Sequence, residues 1–260
     1  MRVHIVKRED CPLLKKILLI VGAVALALVL GGLVLLAMGV NPLEYYFKMF
    51  TMGMVGNKIA YKAAENYLKI LVPLILTALG LSLAFKMRFW NIGGEGQFIV
   101  GAIAAAAVAF TAGPVLPTPV VLLLMCLAAM LAAGLLGLFV AALKVKFGTN
   151  ETLLTLMLNY IALYFLTFLG ETKADWNFFL SAESARPTFA SFTSMVSFPR
   201  MMLGKFGLNI CVLITLALGV LVYVYLKRTK QGYEIAVVGD SMGTARYAGM
   251  KVSTLSLIHI

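Results

Sequence analysis

Asn91, Glu95 and Gln97 stand in the stretch FWNIGGEGQFIVG (89–101), with Gly93, Gly94 and Gly96 between them. Two amides and a carboxylate at this spacing can hydrogen-bond a polar ligand or satisfy an irregular backbone. The glycines free that backbone to bend and bare its own amides and carbonyls. A second polar set opens at GTNE (148–151), where Glu151, Thr155 and Asn159 recur every four residues and so share one helix face. Thr149 or Asn150 suits the cap of that helix, and Glu151 in its first turn complements the helix dipole. Both sets have two readings. Residues 91–97 form either an ordinary turn behind Lys86 and Arg88 or a helix break at a transport site. Asn159 either glues two helices together or lies on a polar stripe along a solute path.

The elements that position these residues are apolar. The chain of 260 residues is 62% hydrophobic and 13% charged, with a mean hydropathy of +0.96. A soluble domain carries roughly 25% charged residues. Uncharged runs at 17–43 and 96–143 fit helices crossing ~30 Å of hydrocarbon. The segment GPVLPTP (113–119) divides the second run. Six spans are predicted, at about 17–40, 70–85, 98–112, 120–143, 152–170 and 208–226. Helices satisfy their own backbone in lipid, and no alternating strand pattern suggests a barrel. The expected fold is an all-α polytopic membrane protein: a cytoplasmic tail at 1–16, a transmembrane domain at 17–226 and a cytoplasmic segment at 227–260. A secretory signal peptide is disfavoured, because the first uncharged run exceeds an ordinary signal core of about 7–15 residues. With the N-terminus inside, the cytoplasmic pieces hold 14 of the 22 basic residues, in keeping with the positive-inside rule. The formal charge of +11 is therefore a topology signal and gives no nucleic-acid surface.

No Asp, Glu, Lys, Arg or His lies inside the six predicted spans. A proton-driven carrier keeps such groups in its spans despite a cost of at least ~2.5–3.5 kcal/mol each, and an intramembrane hydrolase needs an acid, base or metal there. A secondary carrier and an intramembrane enzyme are thus disfavoured, and energy is expected from a separate motor. Spans 70–85 and 98–112 are short and flank the glycine-rich break, the pattern of discontinuous helices around a solute site. Cys11, Cys126 and Cys211 have no ligand spacing, and His4 and His259 lie at opposite ends, so no metal site is expected. No G-x-x-x-x-G-K-[ST] run is present, so the chain is not expected to hydrolyse ATP. After the last span, Asp240 or Ser241 can cap a short helix over 242–248 that Gly249 ends. It would expose Arg246 and Tyr247, residue types that anchor interfaces.

NIGGEGQ (91–97), GTNE (148–151) with MLNY (157–160), and TKQGYEIAVVGDSMGTARYAGM (229–250) resemble the motifs of one family. It is the permease subunit of bacterial ABC importers for nucleosides and simple sugars, related to the branched-chain amino acid and ribose permeases. The resemblance runs from about Asn41 to Val252. It implies a subunit of the bacterial cytoplasmic membrane that binds no cofactor itself. Its partners would be an ATPase that uses ATP and Mg, a second permease and an extracytoplasmic substrate-binding lipoprotein. It also implies a coupling helix at 240–249, which fits the Glu-Ala-Ala consensus of other importers loosely. The cargo would be a nucleoside, with a simple sugar as the alternative. A structural membrane subunit is the rival from another class, disfavoured by the three motifs. The outer loop 171–207, with Trp176, Phe178, Phe179 and Arg186, is the expected seat of the binding protein. The family continues with further spans, whereas 11 residues follow Gly249, so a C-terminally shortened domain whose closing LSLIHI need not be native is expected.

Overall fold

The computed structural model describes residues 12–54, 60–192 and 196–259. In chain order they form α1 (Leu13–Ala37), α2 (Pro42–Met54), α3 (Ala60–Lys86), α4 (Gly94–Ala112), α5 (Thr118–Phe147) and α6 (Glu151–Glu171). There follow β1 (Arg200–Leu203), β2 (Phe206–Asn209), α7 (Cys211–Arg228), α8 (Lys230–Asp240), α9 (Met242–Tyr247) and α10 (Val252–His259). Six of these helices, α1 and α3 to α7, are long and apolar enough to cross a bilayer. Their flanks are apolar outward as well as inward: the apolar stretches of α1 and α3 are each only 6% buried. Water would not tolerate that surface and lipid does. The chain is an α-helical polytopic membrane protein.

The chain divides into two compact units, residues 1–66 and 67–260. In the first, Asn41 caps α2 by accepting from the Leu43 and Glu44 amides at 3.1 and 3.4 Å. The Tyr46 hydroxyl donates to the Leu28 carbonyl of α1 at 2.8 Å. Lys48 pairs with Glu44 at 2.6 Å and holds its carboxyl below the usual range. This extra helix falls where a loop was expected, because 13 amphipathic residues are too few to register as a span.

In the second unit α4 is the hub, packed against α5 and α6. Its small residues allow this: a side chain at Gly101 would meet the Ala129 carbonyl of α5 at 3.3 Å. The α5–α6 turn is closed by Gly148, at φ 67°, and by Asn150, whose Oδ1 accepts from the Thr152 and Leu153 amides. Of the two cap candidates, Asn150 takes the role. Beyond α6, Asn177 pins the loop by donating to the Leu169 and Thr172 carbonyls at 2.7 Å each. The antiparallel pair β1–β2, turning at Gly204 (φ 63°), was not expected from the sequence.

Helix boundaries correct one expectation. The predicted span 70–85 is part of a helix of 27 residues, so the break is not flanked by a half-length helix on that side. The helices run past the hydrocarbon limit, and the added turns carry charge: Lys62, Glu65 and Lys69 in α3, Glu95 in α4, Lys144 and Lys146 in α5. A helix need not stop where its apolar run stops, because its hydrogen bonds continue and long charged side chains reach the interface. Likewise α1 begins inside the predicted tail, at Leu13.

Candidate functional site

The connector between α3 and α4 is built from both ends. At the end of α3, the Phe89 amide reaches the Ala84 carbonyl and the Arg88 amide the Phe85 carbonyl, each at 3.0 Å, with Arg88 at φ 57°. This is a helix-terminating motif that usually recruits glycine. Phe89 then buries itself among Ala84, Val140, Leu154 and Leu158. Asn91, only 2% exposed, accepts from the Gly93 amide at 2.9 Å and folds the chain into the start of α4.

The connector docks along α6. Thr155 Oγ1 accepts from the Ile92 amide at 3.2 Å. Asn159 uses both ends of its amide: Oδ1 accepts from the Gly96 amide at 2.8 Å, and Nδ2 donates to the Ile92 carbonyl at 2.9 Å. Thr155 and Asn159 stand about 6 and 12 Å along α6 from Glu151, so the connector lies one to two turns inward of that helix start. The glycines serve this approach. A side chain at Gly96 would lie 2.8 Å from Asn159 Oδ1 and 3.1 Å from its Cα, and one at Gly93 would lie 3.0 Å from Thr155 Cβ. None of Gly93, Gly94 and Gly96 has positive φ, so space, not backbone freedom, is what they provide.

A cavity of about 660 Å³ opens beside the connector, between α3, α4 and α5. Its size falls within the ~300–1,000 Å³ of small-molecule sites. Asn91, Gln97 and Thr77 supply its polar lining, and Pro73, Leu81, Phe98 and Met130 much of its apolar wall. No described residue lining it is ionisable. Of the residues singled out from sequence, the structure brings Asn91, Gly94 and Gln97 to the cavity. It sets Thr155 and Asn159 behind it, against the connector. Glu95 is exposed in the first turn of α4 and is not among the lining residues. Glu151 pairs with Lys144 across the α5–α6 turn at 2.5 Å. Thr77 and Phe98 were missed, because both sit in apolar runs that periodicity alone assigns to packing.

The set expected on the cytoplasmic side lies on α8 and α9. Ser241, not Asp240, caps α9: its Oγ accepts from the Thr244 amide at 3.2 Å, while Asp240 is the exposed last residue of α8. Gly249, at φ 75°, closes α9, with its own amide on Arg246 and the Met250 amide on Ala245, both at 3.0 Å. Arg246 and Tyr247 are both exposed, Tyr247 to 95%. Met87 packs with Ile235, Val238 and Ala245, which ties α8 and α9 to the α3 end of the connector. On the loop after α6, Trp176 and Phe178 are exposed. Phe179 is 8% exposed and packs edge-on against Phe110, so it cannot be presented to a partner as expected.

A permease-component family of the branched-chain amino acid transport system matches residues 63–259. The chain is 28% identical over 238 residues to a nucleoside ABC transporter permease protein of Lactococcus lactis, covering 91% of this chain and 64% of that one. It is 30% identical over 237 residues to a glucose ABC transporter permease protein of Haloferax volcanii, covering 89% and 60%. A guanosine ABC transporter permease protein of Bacillus subtilis is 29% identical over 237 residues, with 88% and 63% covered. The chain thus spans a little under two thirds of the length of these relatives. No solved structure matches it.

Proposed function

Since the chain belongs to the branched-chain amino acid transport system permease-component family, we propose that it is the membrane-spanning permease subunit of an ATP-driven importer in a bacterial cytoplasmic membrane. It forms the path for a small neutral solute, a nucleoside by preference. The nucleoside and guanosine permeases among its relatives support that cargo, and the glucose permease keeps a simple sugar as the second reading. A separate ATPase subunit uses ATP and Mg, and this subunit binds neither. A second permease completes the path, and an extracytoplasmic lipoprotein delivers the solute near Trp176, Phe178 and Arg186.

The observation that carries this reading is the connector 86–97. One end packs through Met87 on α8 and α9, and the other folds through Asn91 onto the wall of a neutral cavity. A push on α9 therefore reaches the cavity through residues already in contact. In this mechanism Arg246 and Tyr247 grip the ATPase. Asp240 and Gly249 bound the helix that presents them. Gly93, Gly94 and Gly96 let the connector sit tightly enough to move as one piece, held by Thr155 and Asn159. Gln97 faces the solute, and Glu95 stays on the rim.

The test is Arg246→Glu combined with Tyr247→Ala in the full-length permease, reconstituted with its partners. Loss of two interface anchors is expected to lower solute-stimulated ATP hydrolysis by about tenfold or more. Unchanged hydrolysis would remove α9 from the coupling path.

A further inference from the structure

The cavity between α3, α4 and α5 offers hydrogen bonds but no charge. Asn91 is 98% enclosed, its carbonyl oxygen is committed to the Gly93 amide, and its Nδ2 has no partner among the described residues. It is thus a fixed donor at the cavity wall. Gln97, six residues later in the first turn of α4 and half-buried, has no partner for either end of its amide among the described residues. Thr77 Oγ1 donates to the Pro73 carbonyl at 2.9 Å, which leaves its lone pairs as acceptors. Phe98 adds an aromatic surface to the same lining. A donor at the cavity wall is left unpaired when a solute displaces the water there, and a solute acceptor placed against it removes that cost.

We infer that Asn91 and Gln97 are specificity-determining residues: they read the hydrogen-bonding edge of an uncharged nucleobase and leave a zwitterionic amino acid unsupported. This rests on the permease reading above. An amino acid brings an ammonium and a carboxylate, and neither finds a counter-charge among the described lining residues, so both would be desolvated without compensation. A nucleobase brings carbonyl and ring-nitrogen acceptors to the two amide donors and a flat face to Phe98. The family's description names branched-chain amino acids; this cavity selects against them.

The experiment uses the full-length permease reconstituted with its ATPase, second permease and binding protein. It compares uptake of inosine, of purine riboside (the same nucleoside without its 6-oxygen and N1 proton) and of leucine. Wild type is expected to favour inosine over purine riboside by about tenfold, the scale of one neutral hydrogen bond with its partner left unpaired, and to carry no leucine. Gln97→Leu is expected to lower the inosine-to-purine-riboside ratio by about tenfold relative to wild type. The same binding protein serves both arms, so its own preference cancels between variant and wild type. Should Gln97→Leu fail to assemble, Gln97→Met reads the same ratio, since it keeps the length of the side chain and loses both ends of the amide. A ratio equal in wild type and variants, or leucine uptake at the nucleoside rate, overturns the inference and leaves the permease reading standing. Absence of any nucleoside uptake by wild type overturns both.

Discussion

Asn159 shows how much one amide can hold. Its oxygen and nitrogen bind two backbone groups on the far side of a helix interface, at Gly96 and Ile92. Asn159→Leu strands both, at about 1–3 kcal/mol for each unpaired buried group. Thermal unfolding of the purified permease should therefore begin markedly lower, and uptake should fall with it. Asn159→Asp keeps the acceptor for Gly96 but buries a carboxylate against the Ile92 carbonyl, and should cost at least as much. Uptake lost with assembly and melting unchanged would instead give Asn159 a direct role towards solute. Gly96→Ala attacks the same contact from the other side. Its methyl group would overlap Asn159, and overpacking of this kind costs about 1–3 kcal/mol. The four-residue spacing of Glu151, Thr155 and Asn159 was legible in the sequence. What faced them was not, because a partner 63 residues away in the chain leaves no local signal.

Among elements, the informative junction is α8 against the end of α3. A side chain at Gly239 would lie 2.0 Å from the Lys86 carbonyl oxygen, so the two backbones touch. Gly239→Ala must part them. If the connector transmits motion, uptake per ATP hydrolysed should fall by about two- to thirtyfold, the range for changes along a coupling route. Membrane insertion of the protein should be unaffected. Uptake per ATP at the wild-type level would show that α9 acts on the cavity by another route. The short helix α9 was readable from Ser241 and Gly249, because caps are local chemistry. Its anchorage through Ala245, Val252 and Met87 was not, since that depends on which helix ends meet. The β1–β2 pair was unread for a similar reason: strands of four residues have too few positions to show alternation.

For the molecule as a whole, the question is which face meets the cytoplasm. The ends of α3 and α5, the start of α6 and the helices α8 and α9 gather around a second cavity, of about 480 Å³. Arg88, Lys144, Arg246 and Lys251 stand around it. Such a basic end belongs inside. In a chain whose three cysteines are replaced by alanine, Tyr247→Cys should react with a membrane-impermeant maleimide only after permeabilisation. Arg186→Cys, on the opposite loop, should react in intact cells. The reverse pattern would invert the topology and remove the coupling role of α9.

The sequence by itself determined the medium, the number of membrane-crossing helices, the side that carries the positive charge and the motifs that mark the family. Each of these is a property of a run of residues and survives any arrangement of the helices. Only the tertiary structure decided that the glycines at 93 and 96 make room instead of bending the chain. Only it decided that Asn159 holds the connector while Asn91 and Gln97 meet the cavity. Those roles depend on which surfaces touch, and in lipid, where apolar surface gains little from pairing with apolar surface, close packing and a few hydrogen bonds choose the contacts.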